Sequence, residues 1–313
     1  MRSLRLALPS LNGLFTFEAA ARCGTFGRAA TELNVTPAAV SRMIARLEEH
    51  VGAPLFERLP GGIVLTEEGR ILYDALSRSF SGIETALREI EDRRTGLETV
   101  TLSVSTGFTT HWIMPNLAAF KQAFPGVELR FQLITKALGG PVNDVDLGMR
   151  FVDAADDRHE ATYIMPELLL PICSPGYSDG GSISDARGKA ATVINLSEAQ
   201  PDWSDLFFPG AGAASPSSLI FSDYAVVVQA ALLGQGVALG WLNVAAHWLR
   251  TGALVPVGNR IMVTGRHCQF LRTRERRDRP IVRAVRDWII GRLREDLTEI
   301  DRLYPDLGLA ERL

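Results

Sequence analysis

Residues 24–52 read GTFGRAATELNVTPAAVSRMIARLEEHVG, and this stretch specifies the architecture of the N-terminal part of the chain. Thr25 and Thr36 each stand where a side-chain oxygen can cap a helix, and Pro37 suits a first helical position. Asn34 can adopt the left-handed conformation that ends the first of the two helices. Two helices joined by a turn of a few residues predict a helix-turn-helix. The apolar residues of the second helix repeat at helical spacing and are predicted to be buried: Val40, Ile44, Leu47 and Val51.

The sequence on either side extends this unit. Upstream, LNGLFTFEAAARC (residues 11–23) places apolar residues at helical spacing. Downstream, PLFERLPGGIVL (residues 54–65) predicts two short strands, 55–57 and 63–65, around a turn that begins at Pro60. A hairpin directly after a helix-turn-helix is a wing, so the sequence predicts a winged helix-turn-helix over residues 1–65.

A long helix is predicted next, from Thr66, which can cap it, to a break at Gly96. Five apolar residues of this helix lie at the a and d positions of about two heptads: Leu76, Phe80, Ile83, Leu87 and Ile90. Such a seam predicts pairing with a second copy of the chain, and we interpret residues 66–95 as a linker and dimerisation helix. Because two heptads are few, packing of this face on its own domain is an open alternative.

Residues 96–313 alternate strand patterns with helix patterns. This alternation predicts mostly parallel, doubly wound sheets, and about 215 residues suffice for two such lobes. Predicted strands are 99–105, 127–134, 144–151, 168–174, 191–197 and 236–242, and predicted helices are 113–124, 224–233 and 280–300. We therefore expect a third domain of two α/β lobes over residues 96–313.

Charge is distributed unevenly along the chain. The 313 residues carry a formal net charge of −3, which by itself gives no attraction to nucleic acid. Residues 1–65, however, hold seven Arg and five Glu, and the remainder holds 26 basic and 31 acidic residues. The predicted winged domain is therefore the positively charged part, as binding to a phosphate backbone requires.

Composition excludes several other classes of protein. The longest apolar stretches end well short of the ~20 residues that a membrane span needs, and the first residues lack the apolar core of a signal peptide. The three cysteines form no CxxC pair, and the five histidines show no metal-ligand spacing. We therefore expect a cytoplasmic protein with no membrane partner, no metal and no other cofactor.

A helix-turn-helix places the front of its second helix in the major groove, where Arg and short polar side chains read base edges. Arg42 is expected to contact a base or a nearby phosphate, and Ser41 to donate a hydrogen bond to one of them. For Arg46 the alternative is a surface ion pair with Glu49 or Glu32. The predicted DNA-binding residues are Arg28, Thr36, Pro37, Ala38, Ser41, Arg42, Arg46 and Arg58.

Residues 20–69 resemble the N-terminal domain of LysR-type transcriptional regulators. The shared motifs are Ala-Val-Ser at 39–41, Leu-Glu at 47–48, Gly-Xaa-Xaa-Leu-Phe-Xaa-Arg at 52–58 and Leu-Thr-Xaa-Xaa-Gly at 65–69. These motifs occur in the family's order. The resemblance therefore covers the helix-turn-helix, the wing and the start of the long helix.

The resemblance continues from about Leu8 to Trp288. HWIMPNLAAFKQAFPGVEL (residues 111–129) and QAALLGQGVALGWL (residues 229–242) are similar to the glycine-cleavage-activator-like branch of the family. The resemblance implies an α+β multidomain fold: a winged helix-turn-helix, a long linker helix and two Rossmann-like α/β lobes like those of periplasmic binding proteins. It also implies a transcriptional regulator that binds double-stranded promoter DNA as a dimer, assembles into tetramers, and responds to a small effector between the lobes.

The family's motifs transfer a DNA-contact role to Ser41, Arg42 and Arg58, because each occupies the matching motif position. The wing departs from many relatives: residues 59–62 are Leu-Pro-Gly-Gly where further basic residues are frequent. We therefore expect only weak phosphate contact from the tip of the wing.

The effector site is expected where strands end and helices begin. Thr109 and Thr110 lie between a predicted strand and a predicted helix, where a hydroxyl and free N–H groups can hold a carboxylate. This position favours an amino acid or small carboxylate as the effector, although a helix cap without a ligand is the alternative. Trp203 and Trp241 also suit simple packing. The predicted effector-binding residues are Thr109, Thr110, Phe151, Asn195, Ser197, Trp203, Ser222, Tyr224 and Trp241.

Two other functions stay open, although we do not expect an enzyme. GYSDG at residues 176–180 has the spacing of a nucleophile elbow, which favours an α/β enzyme carrying an autoregulatory helix-turn-helix, but no helix pattern follows it. A solute-binding module with an N-terminal domain that only dimerises is the other alternative. The Arg-rich run at residues 272–279 is interpreted as a solvated loop, because two acidic residues interrupt it.

Overall fold

The computed structural model describes residues 8–134, 142, 145–152, 158–177, 192–197, 218–274, 276 and 278–313. The chain forms two compact units, Met1–Glu91 and Asp92–Leu313. The boundary between them lies inside one long helix, so the first unit includes most of the segment predicted as a linker.

The first unit is a winged helix-turn-helix, as predicted. Its elements are helices α1 (Leu11–Cys23), α2 (Phe26–Glu32), α3 (Pro37–Val51) and α4 (Glu67–Thr95), and strands β1 (Phe56–Leu59) and β2 (Gly62–Leu65). The two strands pair antiparallel and form the wing. Both wing strands reach one or two residues further into the turn than the sequence predicts.

Local capping sets the ends of these helices. Thr25 accepts a hydrogen bond from the Arg28 N–H at 3.2 Å, and Thr36 accepts one from the Ala39 N–H at 3.2 Å. Asn34 has a φ of 53°, as its left-handed role requires. These three predictions are therefore confirmed. Val51 differs: it is 44% exposed because it lies at the C-terminal end of α3, beyond the buried stripe.

The face of α4 that carries the predicted dimer seam is divided between two environments. Leu76 is buried in the first unit, and the ring of Phe80 stacks on Phe15 with centroids 4.7 Å apart. Ile83, Leu87 and Ile90 are 56–63% exposed. The early residues thus pack on their own domain, as the alternative proposed, and only the later ones stay available for a partner.

The second unit is an α/β fold. Its strands are β3 (Glu98–Ser105), β4 (Val127–Ile134), β5 (Leu147–Val152), β6 (His159–Cys173), β7 (Val193–Leu196), β8 (Ser218–Phe221), β9 (Val237–Trp241), β10 (Val255–Pro256) and β11 (Met262–Thr273). Its helices are α5 (Thr106–Phe108), a π-helical turn (Thr109–Ile113), α6 (Met114–Ala123), α7 (Tyr224–Leu232), α8 (Leu242–Thr251), α9 (Pro280–Leu303) and a 3-10 turn (Pro305–Leu307).

The described strands form one sheet in the order β4-β3-β5-β11-β6-β9-β7-β8, with β10 beside β6. At one end β3 pairs parallel with β4 and β5, and at the other β7 pairs parallel with β8 and β9. Between these two groups, β6 and β11 run antiparallel to each other and to their neighbours. The two predicted lobes therefore correspond to two parallel groups joined by two long antiparallel strands.

The sequence predicts the joining strands only in part. It predicts no strand at β11, and it misses the first half of β6 because Pro166 and several polar residues interrupt the pattern. The pairing of β6 with β11 shifts register between Val263 and His267, so residues 264–266 form a bulge. Within the described residues, every helix is too short or too polar to span a bilayer.

Candidate DNA-binding face and effector site

The front of α3 and the residues around it form an exposed surface in the first unit. Thr36, Pro37, Ala38, Arg42 and Arg46 are exposed, and Ser41 is half-buried. The Thr36 hydroxyl caps α3 through its oxygen, so its hydrogen is still free to donate. Arg28 on α2 and Arg58 on β1 are exposed as well. We call these eight predicted residues the α3 face.

The four arginines of the α3 face form no ion pair with any residue that the structure describes. The proposed partner Glu32 is already taken: its carboxylate accepts two hydrogen bonds from Arg22, which hold the pKa of Glu32 at about 2. Glu49, the other proposed partner, forms no described ion pair with Arg46. The alternative interpretation of Arg46 as one half of a surface ion pair is therefore not supported.

The wing is held firmly beside these helices. The Glu48 carboxylate of α3 accepts a hydrogen bond from the Leu55 N–H at 2.8 Å, and the Ile63 N–H donates to the Gly24 carbonyl at 2.9 Å. Arg58 lies with its guanidinium carbon 5.8 Å from the centroid of the Phe26 ring. These contacts fix Arg58 relative to the helix-turn-helix, which gives the α3 face a defined charge pattern.

In the second unit, the carboxyl ends of both parallel strand groups meet at the bulge. Phe151 near the end of β5 pairs with Cys268, and Trp241 at the end of β9 pairs with Leu169. Cys268 directly follows His267, and Leu169 directly follows Leu168, the partner of Val263. The pairing of β6 with β11 shifts register between Val263 and His267. Ligands of α/β sheets bind outside the carboxyl ends of parallel strands, so the topology favours a site here.

A group of polar and aromatic side chains fills this meeting point. The Glu167 carboxylate accepts hydrogen bonds from the Trp241 indole N–H at 2.7 Å, from the Thr264 hydroxyl, and from two Arg266 N–H groups at 2.8 Å each. The Arg266 guanidinium carbon lies 5.8 Å from the centroid of the Phe151 ring. We call these residues the bulge cluster: Phe151, Glu167, Trp241, Thr264 and Arg266.

Tyr224 extends the bulge cluster toward the first turn of α5. Its ring packs edge-on against Trp241 with centroids 4.7 Å apart. Its hydroxyl donates to the Leu239 carbonyl at 3.0 Å and accepts from the Trp241 N–H at 2.8 Å, and burial raises its pKa. On the other side, a Cβ at Gly107 would lie 2.8 Å from the Tyr224 ring. Tyr224 is thus a packing residue whose hydroxyl is already engaged.

The two threonines predicted to bind the effector, Thr109 and Thr110, differ in their exposure. Thr109 is 6% exposed, and its hydroxyl donates to the Ser105 carbonyl at 3.0 Å, so it is not placed to hold a ligand. Thr110 is exposed on the π-helical turn. Thr106, which the sequence does not single out, donates to the Asp223 carboxylate at 2.7 Å and ties the start of α5 to the start of α7.

The remaining predicted residues lie at other strand ends. Asn195 is half-buried near the end of β7, and Ser197 and Ser222 lie just after β7 and β8. The Ser197 N–H donates to the Phe221 carbonyl at 2.8 Å, which brings these two ends together. Trp203 and the GYSDG serine, Ser178, lie outside the described residues.

Sequence reasoning missed Glu167 and Arg266, although one signal was present. Glu167 is a single acidic residue directly before the apolar run LLLPIC. A carboxylate buried in a strand needs partners, so its presence there indicates a polar cluster. No group of three or more His, Cys, Asp or Glu side chains among the described residues is placed to bind a metal ion.

Comparisons with known proteins bear on both units. A family model described as bacterial regulatory helix-turn-helix protein, lysR family, matches residues 11–70, and one described as LysR substrate binding domain matches residues 94–294. The chain is 32% identical to the glycine cleavage system transcriptional activator of Escherichia coli (strain K12) over 91% of this chain and 94% of that protein. It is 32% identical to the HTH-type transcriptional activator AmpR of Rhodobacter capsulatus over 81% of this chain and 87% of that one.

Among solved structures, ArgP from Mycobacterium tuberculosis is similar, with a TM-score of 0.55 and 18% identity over 91% of this chain and 98% of that chain. At that identity the similarity concerns the fold. It extends over both units of the chain.

Proposed function

This chain belongs to the LysR family of bacterial transcriptional regulators, and we propose that its α3 face binds operator DNA while the bulge cluster lines its effector site. The family assignment establishes a DNA-binding helix-turn-helix and an effector-binding domain. The relatives are transcriptional activators, which supports a regulatory function and not an enzymatic one. Because the target is chromosomal DNA, we expect the protein to act in the cytoplasm.

The observation that supports DNA binding most directly is the set of free cations on the α3 face. Arg28, Arg42, Arg46 and Arg58 are exposed and form no ion pair with the described residues, so their charge is available to phosphates. Arg42 is on the second helix of the helix-turn-helix, one turn after its start, where base edges come within reach. We expect it to contact a base, and the other three to contact phosphates.

Pairing of two chains is proposed to involve the later part of α4. Ile83, Leu87 and Ile90 are exposed apolar residues on a long helix, and burying them against a second copy removes them from water. A dimer presents two α3 faces to two half-sites, which compensates for the small positive charge of each winged domain. Tetramers of two such dimers are expected by similarity to the family.

The function is tested by fluorescence anisotropy with labelled duplexes from the DNA that flanks the protein's own gene. The full-length protein is expected to bind one of these duplexes specifically and in a salt-dependent manner. Arg42→Ala should weaken that binding by about 1–3 kcal/mol if the guanidinium reads a base. If it contacts only a phosphate, the salt slope should fall by about 1 instead.

The matched control is Arg130→Ala. Arg130 is an exposed arginine on β4 of the second unit, where it pairs with Glu128, and its loss should leave the affinity for DNA unchanged. Absence of specific binding to any flanking duplex, or equal binding by the wild type and Arg42→Ala, would contradict the proposal.

A further inference from the structure

Glu167 is a buried carboxylate whose hydrogen-bonding capacity is filled. Its side chain has no exposed surface, and each of its oxygens accepts two hydrogen bonds from Trp241, Thr264 and Arg266. A charge in such a position is stable only with partners of this quality. Glu167 therefore has no free oxygen with which to bind a ligand, and its role is to hold its partners in place.

Arg266 spends only part of its hydrogen-bonding capacity on Glu167. Its Nε and Nη2 groups face Glu167 as a fork, while the side chain stays 44% exposed. A guanidinium has five N–H groups, so the edge formed by Nη1 and the outer N–H of Nη2 presents a second fork. None of the residues that the structure describes accepts a hydrogen bond from Nη1.

The bulge brings the Arg266 guanidinium to the meeting point of the two strand groups. Residues 264–266 are displaced from the ladder, and Gly265 has a φ of +87°, which lets the chain turn there. Arg266 consequently lies against Phe151 at the end of β5, while its anchor Glu167 holds Trp241 at the end of β9. A molecule bound to Arg266 thus adjoins residues of both strand groups.

We propose that Arg266 binds the carboxylate of a small monocarboxylate effector, with Glu167 as the residue that positions it. This inference rests on the proposed effector site and names the ligand's chemical class. A bidentate fork matches the two oxygens of a carboxylate. Because Glu167 already neutralises the guanidinium, a single added negative charge suits the cluster better than a phosphate dianion. Trp241, which is half-buried and held by Glu167, suits a short apolar body on the ligand. Phe151 is 5% exposed, so its part is to pack against the guanidinium.

Arg266 takes the anion-binding role predicted for Thr109, at the start of the π-helical turn, whereas Thr110, exposed on the same turn, stays a predicted contact. Thr109 is buried with its hydroxyl donated to Ser105, and it cannot accept that role. The carboxylate preference is retained, but its recognition moves from a helix start to a guanidinium about 160 positions later in the chain.

The test is a thermal-shift screen of the full-length protein, followed by calorimetric titration of the best compound. The probes are the amino acids and the aliphatic monocarboxylates of two to eight carbons, each with its primary amide, together with dicarboxylates and inorganic phosphate. We expect at least one monocarboxylate to raise the melting temperature and its amide to have no effect.

Arg266→Lys is the informative variant, because Lys keeps a positive charge beside Glu167 but lacks the second fork. It should weaken binding of the best monocarboxylate at least tenfold. The double variant Glu167→Gln with Arg266→Gln removes both charges of the pair, so no buried charge is left unpaired. It should bind none of the probes. This variant tests the proposal even if Arg266→Lys fails to fold. Arg130→Lys, which alters an exposed Arg–Glu pair on β4, should bind as the wild type does.

Several results would overturn the proposal: no monocarboxylate raises the melting temperature, the amide binds as tightly as the acid, phosphate or a dicarboxylate is preferred, or Arg266→Lys binds like the wild type. DNA binding is measured separately on the same proteins without any probe. Absence of specific DNA binding by the wild type would reject the proposed function. If the wild type binds DNA but no monocarboxylate raises its melting temperature, only the role of Arg266 is rejected.

Discussion

His111 is a buried imidazole with both ring nitrogens engaged. Its Nδ1 accepts a hydrogen bond from the Trp248 indole N–H at 3.1 Å, so its Nε2 carries the proton and donates to the Ala225 carbonyl at 2.8 Å. The ring is 1% exposed, and burial lowers its pKa. Protonation of Nδ1 would place two donors face to face, so this neutral tautomer is built into the packing of the π-helical turn against α7 and α8.

This arrangement predicts a pH dependence of stability. The unfolded chain takes up a proton on His111 near its ordinary pKa of 6.5, whereas the folded protein does so only at lower pH. The stability that neutral His111 contributes is therefore complete above about pH 6.5 and is lost as the pH falls through the lowered pKa. His111→Gln should show a smaller fall in melting temperature between pH 8 and pH 5 than the wild type.

The matched control is the exposed His50, for which His50→Gln should retain the wild-type pH profile. Burial and the nearby Arg250 also lower the pKa of His247, so the His111 variant keeps part of the dependence. Equal slopes of melting temperature against pH for His111→Gln and the wild type would show that His111 makes no such contribution.

Among the secondary-structure elements, α4 contains two glycines in opposite environments. A Cβ at Gly69 would lie 2.1 Å from the Leu55 carbonyl oxygen, which belongs to the chain entering the wing. At Gly82 a Cβ meets nothing within 4 Å. Gly69 is therefore required for the close approach of helix and wing, whereas Gly82 only weakens the helix.

Alanine at these two positions should have opposite effects on the first unit. Gly69→Ala should destabilise it by about 1–3 kcal/mol, because the wing must shift, and Gly82→Ala should stabilise it by about 1 kcal/mol. Urea unfolding of the full-length protein, followed by far-UV circular dichroism, measures both. A destabilised Gly82→Ala variant would contradict the open space around Gly82 and would indicate that another surface packs against this part of α4.

Substitutions in α4 also distinguish the stability of the first unit from the pairing of two chains. Leu76 is buried in the first unit, so Leu76→Ala should lower its stability by about 2–5 kcal/mol. Ile83→Gln with Leu87→Gln changes only exposed side chains and should leave that stability unchanged while shifting the protein toward monomer. Sedimentation velocity at several protein concentrations distinguishes these outcomes, and an unchanged association constant in the double variant would exclude this face from the interface.

Across the chain as a whole, DNA and effector are proposed to bind to different compact units. Regulation therefore requires a coupling free energy between two sites, and such coupling is reciprocal. If the effector changes the affinity for operator DNA by a given factor, the operator must change the affinity for the effector by the same factor. Couplings of this kind amount to about 5–150-fold.

We expect the calorimetric titration of effector, with and without operator duplex, to give the same factor as anisotropy titrations of duplex with and without effector. Arg42→Ala should lower DNA affinity in both effector states and leave that factor unchanged, because Arg42 lies on the α3 face and not in the second unit. A factor of one in both titrations would indicate that the effector acts without changing affinity.

Local sequence signals predict most of the architecture. Capping threonines, left-handed residues and alternating strand patterns depend on neighbours within a few positions, so the roles of Thr25, Asn34 and Thr36 follow from the sequence alone. The same holds for the α3 face, since an exposed arginine on a recognition helix follows from helical periodicity.

Patterns within the sequence are therefore sufficient for the winged helix-turn-helix, for the family, and for five of the six strands in the two parallel groups, since β8 is not predicted. Three features required the folded chain: Leu76 packs inward while Ile83 stays exposed, the Thr109 hydroxyl is already engaged, and Glu167 holds Arg266 although they lie 99 positions apart. The physical reason is that burial and charge pairing depend on which distant strands become neighbours. Periodicity along one strand carries no information about the register at which another strand crosses it.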